Sequence, residues 1–139
     1  MMSDILPAGF EEREHTADWS LHVWAPDLAG LLEQAATGMA NLSGIKTGSG
    51  ARVTRSLTVE STDAEGLLVN FLTELLHILD QENFVFEKFN LTVSDNNLQA
   101  TMEGLPVLER KKEIKAVTYH NLVIEQKPRG LEADIVFDV

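Results

Sequence analysis

The chain has no cysteine among its 139 residues, which removes disulfides, thiolate nucleophiles and zinc–sulfur sites at once. It is poor in positive charge, with 11 basic against 22 acidic side chains and a formal net charge of −11. Phosphate contacts dominate nucleic-acid affinity and need a cationic face, so no direct stable nucleic-acid binding is expected. No apolar run approaches the roughly 20 residues that a membrane helix requires. The opening Met1-Met2-Ser3-Asp4-Ile5-Leu6-Pro7 is not a basic segment followed by an apolar one. The expectation is a cytoplasmic globular protein that makes no membrane contact. A phosphate-cradling loop is also missing, because Thr47-Gly48-Ser49-Gly50 lacks the lysine and the strand–helix placement. No Gly-x-Ser-x-Gly nucleophile elbow occurs. These absences disfavour an enzyme with its own nucleotide site.

What is present reads as one domain over residues 1–139, with 1–14 as a polar lead-in ending in Glu11-Glu12-Arg13-Glu14. Ala17, Trp19, Leu21, Val23 and Ala25 alternate with Asp18, Ser20 and His22, the pattern of a half-buried strand. Asp27 can cap a helix whose apolar stripe runs from Leu28 to Met39, with Gly44 as its stop. Val53, Leu57 and Val59 mark a strand. Thr62 to Glu65 has capping-box spacing ahead of a second helix striped by Leu67, Phe71, Leu75 and Leu79. Phe84 and Phe86 then change phase to Phe89, Leu91 and Val93, which predicts a bulge near Glu87-Lys88. Asp95-Asn96-Asn97 signals a hairpin into Leu98, Ala100 and Met102, and residues 104–113 read as a loop. Val117 to Ile124 reads as a long strand with a slip near His120-Asn121. The last strand points Leu131, Ala133, Ile135 and Phe137 inward, and Glu132, Asp134 and Asp138 outward. Two helices amid about six strands give an α+β fold: a single-domain sandwich of a mostly antiparallel sheet with two helices on one face.

Three constellations could carry chemistry. Asp18, Asp138 and the carboxylate of Val139 would converge if the first and last strands lie side by side, and such a cluster needs a cation. Hard oxygen donors suit Ca²⁺, Mg²⁺ or Mn²⁺. From spacing alone, two unrelated strand-end carboxylates remain the simpler reading. Glu74 and His77 share a helix face, as in di-iron bundles, but those sites draw carboxylates from several facing helices. A polar flank beside the leucine stripe is simpler, with Glu74 left open as an outer ligand or partner contact. Lys115 and His120 could hold an anion and move a proton; a lysine at a strand entrance and an edge histidine is the bland alternative. Arg110-Lys111-Lys112 reads as a solvated loop.

Taken together, His15-Thr16-Ala17-Asp18, Leu67-Leu68-Val69-Asn70-Phe71-Leu72-Thr73-Glu74-Leu75-Leu76, and Lys115-Ala116-Val117-Thr118-Tyr119-His120 through Phe137-Asp138-Val139 resemble the archease family. The resemblance runs from about residue 9 to the end. It implies a strand–helix–strand-containing α+β fold. It also implies a protein cofactor of the GTP-dependent RtcB-type RNA ligase of tRNA splicing. Such a cofactor promotes guanylylation of the ligase histidine and multiple turnover, without joining RNA or acting as a stand-alone enzyme. The family's divalent-metal site maps onto Asp18, Asp138 and Val139, with Ca²⁺ the first choice and Mg²⁺ or Mn²⁺ the others. Lys115 and Glu74 match a motif lysine and a helix glutamate, and His15 and His120 join them as partner-facing or supporting residues. Trp19 stands where a smaller aliphatic residue is commoner, and Thr73 where asparagine is familiar. A competing reading is a metal-dependent hydrolase of a small phosphorylated substrate, with His15 or His120 as acid/base. A third is an interaction module with no functional metal. The oligomeric state stays open.

Overall fold

In the computed structural model, which describes residues 8–14, 19–128 and 130–139, both helices begin at an aspartate. Asp27 is extended and accepts a hydrogen bond from the Gly30 amide at 2.8 Å, opening α1 (Leu28–Leu42). Asp63 does the same for α2 (Ala64–Glu82), accepting from Gly66 at 2.7 Å. Each carboxylate satisfies a first-turn donor that has no partner inside the helix. The expected box on Thr62 is therefore shifted by one residue. Glu65 reaches elsewhere, accepting the Ile124 amide at 2.9 Å.

The strands fall into two antiparallel sheets. One contains β1 (Gly9–Glu14), β2 (Trp19–Ala25), β9 (Gly130–Asp138) and β7 (Ala116–Val117) in the order β1-β2-β9-β7, with β8 (Glu125–Lys127) also on β9. The other has the order β3 (Lys46–Thr47), β6 (Asn97–Glu109), β4 (Val53–Glu60), and β5 (Phe84–Ser94) lies along β6. The helices pack between and against these sheets, and one apolar cluster joins them. In it Leu21, Leu31, Leu67, Phe71, Met102, Ile135 and Phe137 are all but removed from solvent. Each such side chain contributes about 1.5–3 kcal/mol by leaving water. No helix among the described residues is long and apolar enough to cross a membrane.

The expected α+β architecture holds, and several local features hold with it. The register of β5 on β6 shifts between Phe86 and Lys88, so Glu87 is the bulge. Asp95 and Asn96 take φ of 51° and 60°, the paired positive values of a tight hairpin turn. Three further expectations change. Residues 9–14 form an edge strand rather than a lead-in, because β2 offers Gly9–Glu14 a full pairing edge. β6 runs on to Glu109 through the stretch expected as a loop, since β5 and then β3 continue to pair with it. The single strand expected from Val117 to Ile124 is instead two short strands, β7 and β8, separated by a turn.

That turn follows from Asn121, whose φ is 53°, a value asparagine tolerates better than most residues. The Leu122 amide closes it on the Tyr119 carbonyl at 3.0 Å. Gly130 starts β9 at φ 146°, and a Cβ there would collide with the Ala25 carbonyl. Only glycine lets the two strands close up at this end.

Candidate functional site

β2 and β9 are neighbours, in a register that sets Trp19 opposite Phe137. The chain's first alternating strand and its last therefore run side by side over the described residues. His15 and Asp18 lie outside those residues. On β9 the predicted phase is kept: Ala133, Ile135 and Phe137 are buried, while Asp134 and Asp138 are exposed.

Asp138 is placed by the segment that precedes β7. The Lys115 amide donates to the Asp138 carbonyl at 2.7 Å, and Ala116 then pairs with Asp138 in the sheet. Lys115 and Asp138 are thus brought together through the backbone, and both side chains face solvent. Among the described residues, no hydrogen bond or ion pair engages the Asp138 carboxylate. Val139 packs its side chain against the core. The donor chemistry at this end, a free carboxylate oxygen set, suits a hard divalent cation. Among the described residues no cluster of three or more His, Cys, Asp or Glu side chains could hold a metal. Asp138 and Val139 thus form the described part of the candidate set.

The Lys115 side chain lines a cleft of about 250 Å³ with Thr73, Leu76, His77 and Asp80 of α2. Glu74 is exposed on the same helix but lines a separate cleft with Thr58, Glu60 and Asn70. The structure thus groups Lys115 with His77 and sets Glu74 one groove away. His120 sits in the turn after β7, exposed, with its ring 3.2 Å from the Asn121 amide nitrogen.

Several contacts around the candidate site have no local sequence signal. Lys112 Nζ lies 3.3 Å from the centre of the Trp19 ring, a cation–π contact worth about 0.5–2 kcal/mol. Arg110 donates to Asp80 at 2.8 Å. The Lys111 and Lys112 amides both donate to the Ser43 carbonyl at the end of α1, each at 3.0 Å. The basic stretch is therefore not a free solvated loop. It is a strap from α1 across α2 to Trp19, and it delivers Lys115 to Asp138. Trp19 is accommodated because a lysine covers its face.

A second charged cluster occupies the far half of β9. His22 Nδ1 meets Asp134 at 2.8 Å and Nε2 meets Glu132 at 3.2 Å, and Arg13 approaches Asp134 at 3.6 Å. Alternation in β2 and β9 places these residues outward, but only the strand pairing reveals that they meet.

Comparison with known proteins agrees with the fold. Residues 10–139 match the model of the archease protein family. The chain is 32% identical over 140 residues to the "Protein archease" of Methanosarcina acetivorans, covering 94% of this chain and 95% of that one. It is 33% identical over 129 residues to that of Pyrococcus abyssi, covering 87% and 91%. Among solved structures, protein 1598 of Methanobacterium thermoautotrophicum superposes with a TM-score of 0.71 at 29% identity, covering 94% and 99%. A Thermotoga maritima archease described as a possible chaperone superposes with a TM-score of 0.70 at 22% identity, covering 93% and 96%. That second likeness concerns the fold alone.

Proposed function

The chain belongs to the archease family, and from that premise we propose that it serves as an accessory protein in the cytoplasm. It activates a GTP-dependent RtcB-type RNA ligase in tRNA splicing, promoting guanylylation of the ligase and repeated turnover without joining RNA itself. The observation that carries this reading is the exposed Asp138 carboxylate at the end of β9, held beside Lys115 by a 2.7 Å backbone hydrogen bond. Asp18, Asp138 and an oxygen of Val139 would hold a divalent cation, Ca²⁺ first and Mg²⁺ or Mn²⁺ otherwise. When bound, such an ion supplies charge neutralisation for phosphate oxygens during nucleotidyl transfer.

The chain's own residues do the rest. Lys115 offers an ammonium group to anionic oxygens of the ligase or its nucleotide. The strap that carries it is fixed at Ser43 and Asp80, so the backbone of Lys115 is held beside the end of β9. A net charge of −11 favours encounter with a basic, RNA-binding enzyme. Glu74, His15 and His120 are assigned to contact with the ligase or support of the site.

The test is guanylylation of the purified ligase in the presence of wild-type, Asp18→Ala or Asp138→Ala protein. Each substitution is expected to reduce stimulation at least about tenfold, or about 1.4 kcal/mol, while the fold is retained. Undiminished stimulation by both folded variants contradicts the metal-centred mechanism. Turnover of a simple phosphomonoester by the chain alone would favour the hydrolase reading instead.

A further inference from the structure

Four large apolar side chains stand out from the described surface: Val53, Leu108, Tyr119 and Val123, at 47%, 75%, 59% and 58% exposure. Val53 and Leu108 each stand alone on a strand, which is ordinary for a protein surface. Tyr119 and Val123 are different, because they belong to one segment of seven residues, 118–124, that is fastened throughout. The Thr118 amide and hydroxyl both donate to the Val136 carbonyl, at 3.1 and 2.9 Å. The His120 amide donates to the Thr118 hydroxyl at 3.2 Å. Leu122 closes the turn on Tyr119, and the Glu65 carboxylate of α2 takes the Ile124 amide at 2.9 Å. Leu122 and Ile124 pack against the core, so the same fastening that draws them in sends Tyr119 and Val123 out.

An exposed loop without such ties would bury its apolar tips or leave them mobile. Here the fold holds them in solvent, and a pre-ordered aromatic anchor loses little freedom when it enters a pocket. We infer that residues 118–124 form a rigid docking loop that inserts Tyr119 and Val123 into an apolar socket with a cationic rim on a partner protein. Two observations fix that occupant. The loop hangs from Val136, two residues before Asp138, so a protein that takes up the Asp138 end must also meet the loop. The rim of the socket must be positive, because the chain that presents the loop carries a net charge of −11.

This inference rests on the ligase reading above and adds the surface through which the ligase is held. The experiment measures binding of the full chain to the purified RtcB-type ligase, for wild type, the double variant Tyr119→Ser/Val123→Ser, and Leu108→Ser. The double variant should bind at least about tenfold more weakly. Its thermal midpoint should stay within about 2 °C of wild type, as for other surface changes. Leu108→Ser should bind as wild type does. Wild-type binding matched by the double variant overturns the docking loop and leaves the ligase reading intact. So does equal weakening by Leu108→Ser, which would make any exposed apolar group sufficient. No binding by wild type overturns the ligase reading and this inference with it. A wild-type dimer that the double variant converts to monomer in sedimentation also overturns it, by making a second copy the occupant.

Discussion

The two ends of β9 carry the same kind of side chain and use it in opposite ways. Glu132 and Asp134 point outward near its start, and His22 on β2 and Arg13 on β1 answer them. Asp138 points outward at its end, and no charged group among the described residues answers it. A carboxylate met by partners within its own fold helps to fix strand pairing. One left open is available to a ligand. The comparison separates charge that serves the fold from charge left open for the proposed ligand.

The largest expected effect falls on the buried residue next to Asp138. Phe137 is fully buried, and Phe137→Ala should cost about 3–5 kcal/mol through lost burial and the cavity left behind, read from urea unfolding. It should disable both ends of β9 together, since neither outward set survives loss of the strand. A smaller effect separates them. His22→Ala removes the shared partner of Glu132 and Asp134, whose side chains are 30% and 54% exposed. The loss in unfolding free energy should be at most about 1 kcal/mol, with ligase stimulation unchanged. Lost stimulation in a folded His22→Ala protein would break the division drawn here.

The smallest effect concerns a pair far from β9. Arg55 and Glu82 form a two-pronged ion pair between β4 and the end of α2. The hydrogen bond from Arg55 holds the Glu82 carboxyl below its usual range. A depressed folded value contributes stability above the unfolded carboxylate pKa, and that contribution fades as pH falls through the folded one. Arg55→Met should therefore show a small, salt-sensitive loss of stability at neutral pH that vanishes in acid, as pH passes below the ordinary carboxylate range. An equal loss at low and neutral pH would assign it to packing of Arg55 on the Phe84 ring, 5.5 Å away, instead.

Legibility in the sequence followed the range of the interactions. The Asp27 cap, the bulge at Glu87, the Asp95-Asn96 turn and the inward face of β9 are all written in patterns of nearby residues, and all were readable. β1 was not, because Gly-Phe-Glu-Glu-Arg-Glu has no clear alternation and becomes a strand only when β2 pairs with it. The continuation of β6 was hidden by Gly104 and Pro106, which read as breakers until partners on both edges are known. The same holds at the site. The outward phase of Asp138 was legible, and so was Lys115 as a candidate. Their junction, and the cover that Lys112 gives Trp19, depend on residues far apart in the chain and needed the fold.

The central claim is that the open end of β9 holds a divalent cation through Asp138. Calorimetric titration of Ca²⁺ into metal-stripped wild-type and Asp138→Ala protein tests it most directly. The account predicts one saturable site per wild-type chain and its loss in the folded variant. Equal binding by both proteins, or none by wild type with Ca²⁺, Mg²⁺ or Mn²⁺, would contradict it.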